Sequence, residues 1–463
     1  MTGAVPELAA IAAALVMMVA AAIVIPGVAR VLLIAQALYW AMSYLARPIV
    51  LLWVQPEPRF GDNVADPRLA ALGYDYGIAM VLRPIVFGLW VYAGFVVALA
   101  FWMRYRRRSP QRAVIAEDPN FVPTLCALYC LGTLGRLAMV ATGTAGKAGE
   151  VESTSPALTF VTMLGTVGAI GLIVFVRLGK AKATTIAVGL LLAGELLWTM
   201  AVESKTPIMG AALAIGVRFA LGGWTRTKVV AILLVSIMGI GGFGWLQSLK
   251  ATGEVKAESA ATDSAYPAGV QPMLSVLRRF DLLEAATDVY YAPPGSWLSP
   301  QEAAENAARS LIPAQLLGAE KLRSGTAWAA EVRGASVDMT QVSVSLAEGG
   351  ISEGYLLGGY TGIVAGVGFT FLLLVTWARA LYSRHIALVV LGLALIEIPV
   401  IFERGILGSM EMLGKYLQAV VLVWFIYLLV GLYRGSRGQL SARQSWERAE
   451  SVVPVTQRTG QWV

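Results

Sequence analysis

The chain has 463 residues, of which 57% are hydrophobic and only 14% charged, with a formal net charge of +7. A soluble domain carries about a quarter charged residues, so this composition excludes one and indicates an all-α polytopic membrane protein whose first partner is the lipid bilayer. The basic excess of such a protein belongs to its cytoplasmic loops, so no nucleic-acid partner is expected.

Span-length apolar runs, roughly 20 residues each, recur about eleven times. They lie near 8–28, 31–53, 77–103, 121–142, 156–177, 184–202, 206–223, 229–247, 356–381, 386–402 and 412–433. No basic residue precedes the first run, unlike a secretory signal, so it reads as a retained span. The organisation is therefore spans one to eight in 1–247, a large extracytoplasmic loop over 248–355, spans nine to eleven in 356–433, and a polar, disordered cytoplasmic tail over 434–463. Arginine and lysine follow alternate runs: Arg104 to Arg108 after the third, Arg177 and Lys180 after the fifth, Arg226 and Lys228 after the seventh, Arg379 and Arg384 after the ninth, and Arg434 and Arg437 after the last. The positive-inside rule then places the N-terminus outside and the C-terminus in the cytoplasm.

Cys126 and Cys130 are the only cysteines, and their spacing on one helix face suits packing rather than redox or zinc chemistry. His385, the only histidine, stands in a short basic link. A His-activated nucleophile or a multi-His metal site cannot be built from it alone. No Walker loop, dinucleotide fingerprint or zinc spacing occurs, so no metal and no cofactor are expected.

Within the long loop, Pro272 suits a first helical turn, and Met273, Val276, Leu277, Phe280 and Leu283 recur at helical spacing. That predicts one helix through Arg278, Arg279 and Asp281. A second begins at Ser299-Pro300-Gln301-Glu302, with Ser299 as cap and Glu302 three residues on, and stops before Pro313.

The polar residues near span ends carry the candidate chemistry. Glu203 and Lys205 form either an external hairpin with a local ion pair or a cationic helix start suited to phosphate. Arg278, Arg279 and Asp281 are either the solvated face of a loop helix or a grip on a diphosphate, which the guanidinium fork matches. Glu353, with Tyr355 beside it, is either a helix-start charge or a general base. Glu403 and Arg404 close the tenth run as an interfacial pair or as part of a substrate groove. Arg136, Arg218, Glu195 and Glu397 fall inside runs, where a charge costs about 2.5–3.5 kcal/mol, and read as structural. Arg47-Pro48 and Arg83-Pro84 break their helices, each arginine being placed to satisfy the freed carbonyl.

At these residues the chain resembles the O-antigen polymerase group of oligosaccharide repeat-unit polymerases. The resemblance lies in Glu203-Ser204-Lys205-Thr206-Pro207 opening a span, Arg278-Arg279-Phe280-Asp281-Leu282-Leu283 early in one long external loop, Ser352-Glu353-Gly354-Tyr355 with Gly359 and Gly362 opening the next span, and Phe402-Glu403-Arg404-Gly405 near the end. It implies a metal-independent glycosyltransferase of the GT-C type. Such an enzyme sits in the plasma membrane and moves a growing glycan from one polyprenyl-diphosphate carrier to another lipid-linked repeat unit on the outer face of that membrane, and can work with a chain-length regulator. Diphosphate binding then falls to Arg278, Arg279, Lys205 and Arg404, and Glu203, Tyr355 and Glu403 line the groove. The resemblance does not assign the base; Glu353 and Asp281 are the candidates. Positioned cations would stabilise the leaving diphosphate, and a carboxylate would take the proton of the attacking hydroxyl. Two alternatives remain: an O-antigen-ligase-like transferase, whose typical loop histidine is missing because His385 is expected in the cytoplasm, and a lipid-linked glycan transporter or flippase, whose usual repeated halves are not seen.

Overall fold

The computed structural model describes residues 3–59, 64–105, 113–143, 156–202, 206–223, 225, 263–278, 280–293, 295–317, 321–334, 346–397 and 400–451. All elements among them are helices. The first half holds α1 (Val5–Val24), α2 (Val28–Val54), a short α3 (Pro67–Leu72), α4 (Tyr74–Tyr105), α5 (Phe121–Ala141), α6 (Pro156–Phe175), α7 (Ala181–Ala201) and α8 (Thr206–Leu221). The loop holds α9 (Gln271–Leu277), α10 (Leu282–Tyr291), α11 (Pro300–Ser310), α12 (Ala314–Leu317) and α13 (Ser324–Ala327). Then come α14 (Gly350–Ala380), α15 (Ile386–Glu397), α16 (Val400–Glu403) and α17 (Ile406–Ser451). Among the described residues, eight helices are long and apolar enough to cross a membrane, and Met209–Leu221 and Ile386–Ile396 are shorter apolar helices. This is a multi-pass membrane architecture. The expected run 229–247 lies outside the described residues.

Lipid gives little hydrophobic reward for helix association, so close backbone approach and polar contacts must do that work. Gly132 of α5 meets Gly165 of α6 so closely that a Cβ on either would strike the other's backbone. Beside that contact, Arg136 Nη1 and Nη2 donate to the two Glu195 carboxylate oxygens at 2.7 and 3.1 Å, and Nη2 also reaches Thr166 Oγ1 at 2.6 Å. One guanidinium thus ties α5, α6 and α7, and the charge that would be costly alone is matched. Arg218 does not snorkel into water. It donates to the carbonyls of Ile173, Val174 and Val176, closing the open end of α6, where carbonyls lack helical partners.

Several expectations are corrected. The ninth run is not one straight span. Gly358 (φ −169°, ψ 30°) and Gly359 (φ 57°, ψ −140°) interrupt α14, and a Cβ on Gly354 would lie 2.6 Å from the carbonyl oxygen of Gly362 while one on Gly366 would strike that of Gly350. Gly350–Leu357 therefore folds back along Tyr360–Ala380 as a helical hairpin, through glycines spaced every four residues at 350, 354, 358, 362 and 366. The helix expected through Arg278 and Asp281 is two: α9 stops at Leu277 and α10 starts at Leu282. Between them Phe280 leaves the helical stripe to pack on Tyr39, ring centroids 4.7 Å apart. Pro84 lies inside a continuous α4 and does not break it. Pro48 follows a π turn, Met42–Ala46. That turn lies where the proline ring would otherwise meet the carbonyl four residues back. Cys126 and Cys130 are exposed on α5 and are not packing residues of the bundle interior. As far as Ser451 the tail is helical, since α17 continues to that residue, and 452–463 lie outside the described residues.

The cap of α11 agrees with the sequence: Ser299 and Glu302 form a reciprocal capping box ahead of Pro300. Its Ala303, Ala307 and Ser310 are buried, and a Cβ on Gly414 of α17 would strike the Ser310 carbonyl. The helix packs on the bundle, not on the membrane surface. With Ala285, Trp297, Trp328, Val332 and Leu407 it forms a small second core that seats the loop on α17.

The hairpin predicts its own test. Gly354→Val should overpack it and cost about 1–3 kcal/mol or more, read as a lowered unfolding midpoint in detergent. Gly368→Ala, where the nearest atom to a new Cβ is 3.9 Å away, should leave the midpoint unchanged.

Candidate functional site

The loop meets the bundle through an alternating chain of charges. Arg47, fully buried on α2, donates to Glu284 of α10 at 2.5 Å and to the Val64 carbonyl at 3.2 Å. The other Glu284 oxygen takes Arg333 at 3.2 Å, and Arg333 reaches Asp288 at 2.8 Å. Asp288 also accepts from Arg68 of α3 at 2.7 Å, and Arg68 reaches Asp66 at 2.8 Å. Trp328 Nε1 adds a 3.1 Å bond to Asp288, which is wholly buried. Three guanidiniums and three carboxylates alternate, so no charge in the row faces only its own sign. Local rules place the ends: Asp66 caps α3 by accepting from the Arg68 backbone, and Glu284 and Asp288, four apart, share one face of α10.

Burial alone would push the Asp66 carboxyl up, but the Arg68 hydrogen bonds and charge outweigh it and hold the group below the usual carboxylate value. Burial would likewise lower Arg333, yet Asp288 and Glu284 raise it.

A second cluster adjoins the first. Glu353 is buried in the short arm of the hairpin, where it accepts from the backbone N–H groups of Ile406 and Leu407. It therefore caps α17, a position that favours a negative charge. Gly405 allows this, because a Cβ there would overlap the Glu353 carboxylate. Arg404 Nη1 donates to the Leu346 carbonyl at 3.2 Å and to Glu348 at 3.3 Å. Burial works against the Arg404 charge, and Glu348 and Glu403 more than restore it. Tyr39 OH donates to Glu403 Oε2 at 2.8 Å. Among the described residues, Glu348 Oε2 and Glu353 Oε1 are buried without a hydrogen-bond partner, an arrangement that is costly unless something fills it.

Of the residues singled out from sequence, Glu353, Glu403 and Arg404 come together. Asp281 adjoins them through Phe280, which stacks on Tyr39; it is half-buried at the cap position of α10 but makes no side-chain cap bond. Arg278 pairs with Asp263 at 2.5 Å and stays partly exposed. Tyr355 stands apart, its ring edge-on to Tyr360 at 5.6 Å across the hairpin turn. Glu203, Lys205 and Arg279 lie outside the described residues, as does the Glu397 side chain. Sequence reasoning missed Arg68, Asp66, Glu284, Asp288, Arg333, Glu348 and Tyr39. It did not foresee that the Arg47 guanidinium reaches the Val64 carbonyl and Glu284. The available signal was the Glu284–Asp288 spacing on an otherwise apolar helix.

Fold and site together define a polytopic membrane protein with a partly buried row of charges joining residues 284–333 to its helix bundle. No known protein family, no characterised protein and no solved structure matches the chain.

Asp288→Asn should leave Arg68 with Asp66 alone and Arg333 with Glu284 alone and cost about 1–3 kcal/mol of stability, measured by unfolding in detergent micelles. Glu305→Gln, at an exposed pair, should change it by no more than about 0.5 kcal/mol. Because the folded Asp66 carboxyl is depressed, its stabilisation is fully present above the unfolded value of about 3.9 and is lost as pH falls through the lower folded value. Asp66→Asn should remove that acid-side loss from the pH–stability profile.

Proposed function

We propose that the chain is a polysaccharide repeat-unit polymerase: a metal-independent glycosyltransferase that moves a growing glycan from one polyprenyl-diphosphate carrier to another lipid-linked repeat unit at the outer face of the plasma membrane. The observation that carries this is the gathering of Asp281, Glu353, Glu403 and Arg404 at the junction of the loop, α2 and the hairpin. A bundle otherwise suited to lipid concentrates fixed cations and carboxylates there.

In the proposed reaction an acceptor hydroxyl oxygen attacks the anomeric carbon of the donor sugar. The bond from that carbon to the phosphate oxygen breaks, polyprenyl diphosphate leaves, and the hydroxyl proton passes to a carboxylate. Arg278 and Arg404, partly exposed guanidiniums, take the diphosphate, with Arg279 and Lys205 as further candidates from the sequence. Such cations act most strongly where water is thin. Of the two candidate bases, Glu353 is sealed beneath α17, so Asp281, half-buried at the loop edge, takes the proton. Glu353 becomes a positioning residue, holding the Phe402–Gly405 segment through the start of α17.

A second reading, a carrier that moves a lipid-linked glycan across the bilayer, draws on the broken α14 and its two unpartnered carboxylate oxygens, since interrupted helices often line transport sites. Purified protein in vesicles loaded with lipid-linked repeat unit separates the two. The polymerase joins units into longer glycans; a carrier changes only the leaflet in which they stand.

Asp281→Asn should reduce polymer formation in complemented cells about 100-fold or more, with protein abundance in the membrane unchanged. Glycan ladders on a gel give the readout, and a full-length ladder from that variant removes the base assignment.

A further inference from the structure

Between the α2–α3 link and the start of α4 lies an open cleft of about 490 Å³, walled by Gln55, Pro56, Glu57, Tyr74, Asp75 and Tyr76. We propose that it is a saccharide subsite, separate from the charged layer, that holds the sugar chain during elongation; this rests on the polymerase reading above.

The lining supplies the chemistry. Gln55, Glu57, Asp75 and Tyr76 are all exposed, Tyr76 by 49%. Carboxylates accept from sugar hydroxyls and an amide both donates and accepts. A phenol ring offers a flat apolar face to the C–H side of a pyranose. Among the described residues that line it there is no lysine or arginine, so they offer a diphosphate no cation, whereas an uncharged polyol finds both acceptors and a stacking face. The volume falls in the range of small-molecule sites, about 300–1,000 Å³.

The walls are held in advance of any ligand. Tyr74 OH donates to the Pro56 carbonyl at 2.7 Å, and Asp75 Oδ1 accepts from the Ala4 backbone N–H at 2.8 Å. Gln55 is left-handed at φ 45°, the one non-glycine residue with positive φ among the described residues. Such a conformation costs about 1 kcal/mol or more and collects at ligand-binding sites. Ala70 and Leu72 of α3 complete the wall, and the same helix carries Arg68 into the charged row. The cleft is thereby fixed to the charged row that seats the loop, at the same end of the bundle. A glycan gripped there stays at high effective concentration between additions.

Two variants, Tyr76→Ala and Glu57→Gln, alter exposed side chains outside the charged layer. In complemented cells each should shorten the modal glycan severalfold, while purified protein should join two single repeat units at the unaltered rate. Titration of the purified protein with the oligosaccharide released by mild acid from the host's lipid-linked repeat unit should show the dissociation constant rising about tenfold in each variant, the equivalent of 1.4 kcal/mol. Unaltered chain length together with unaltered binding overturns the subsite, and if Asp281→Asn is inactive in the same cells the polymerase reading survives that failure. A wild-type protein that joins nothing overturns the polymerase reading, and the titration alone then decides whether the cleft takes sugar.

Discussion

Asp288 has no access to solvent and is held by two guanidiniums and an indole N–H. A carboxylate in that place is tolerable only while its partners stay, and each partner comes from a different part of the chain. Arg68 belongs to the link after α2, Arg333 follows a second π turn, Trp328–Val332, beyond α13, and through Glu284 the row reaches Arg47 inside α2. The loop is therefore not laid over the bundle by apolar contact alone. Ion pairs buried this deeply return little net stability over apolar packing, yet removing one partner is severe. What the row contributes is a single permitted seating of loop on bundle, and the acidic and basic groups of the candidate site inherit their positions from that seating.

The hairpin in α14 provides the other half of the frame. Its short arm carries Glu353 to the first turn of α17, and the two free N–H groups there accept it as a cap. The same turn starts immediately after Arg404 and Glu403, so the cap also fixes the direction in which those side chains leave the backbone. Tyr39 then reads the position of Glu403 from α2. Helix end, hairpin and loop are set by one another, and none of them carries the site alone.

Eight of the eleven expected spans were legible because twenty apolar residues in a row need no context. The capping box at Ser299 and Glu302 was legible because all its atoms lie within four residues. The helix through Arg278 was misplaced because the helical spacing of Phe280 and Leu283 continues in the sequence across a break that only the docking of Phe280 on Tyr39 explains. The hairpin was hidden in a run apolar enough to span, although its glycines at every fourth position from Gly350 to Gly366 were a visible sign of close backbone contact. The charged row could not be read at all: Arg47 and Glu284 stand 237 residues apart, and Arg68 and Asp288 stand 220 apart. Glu353 was found as a charge at the start of a helix: it lies in the first turn of α14, and what the sequence did not show is that it also caps α17.

The separation of Arg47 from Glu284 also bears on how the protein is made. At roughly 5–20 residues per second, the ribosome needs on the order of 12–50 s to extend the nascent chain from one to the other. For that interval Arg47 lacks its Glu284 carboxylate, although the Val64 carbonyl that it also bonds follows only 17 residues on. The buried ion pair of the second span is thus completed by a segment synthesised after the eighth apolar run, and a chain cut short before residue 284 would leave Arg47 without that carboxylate.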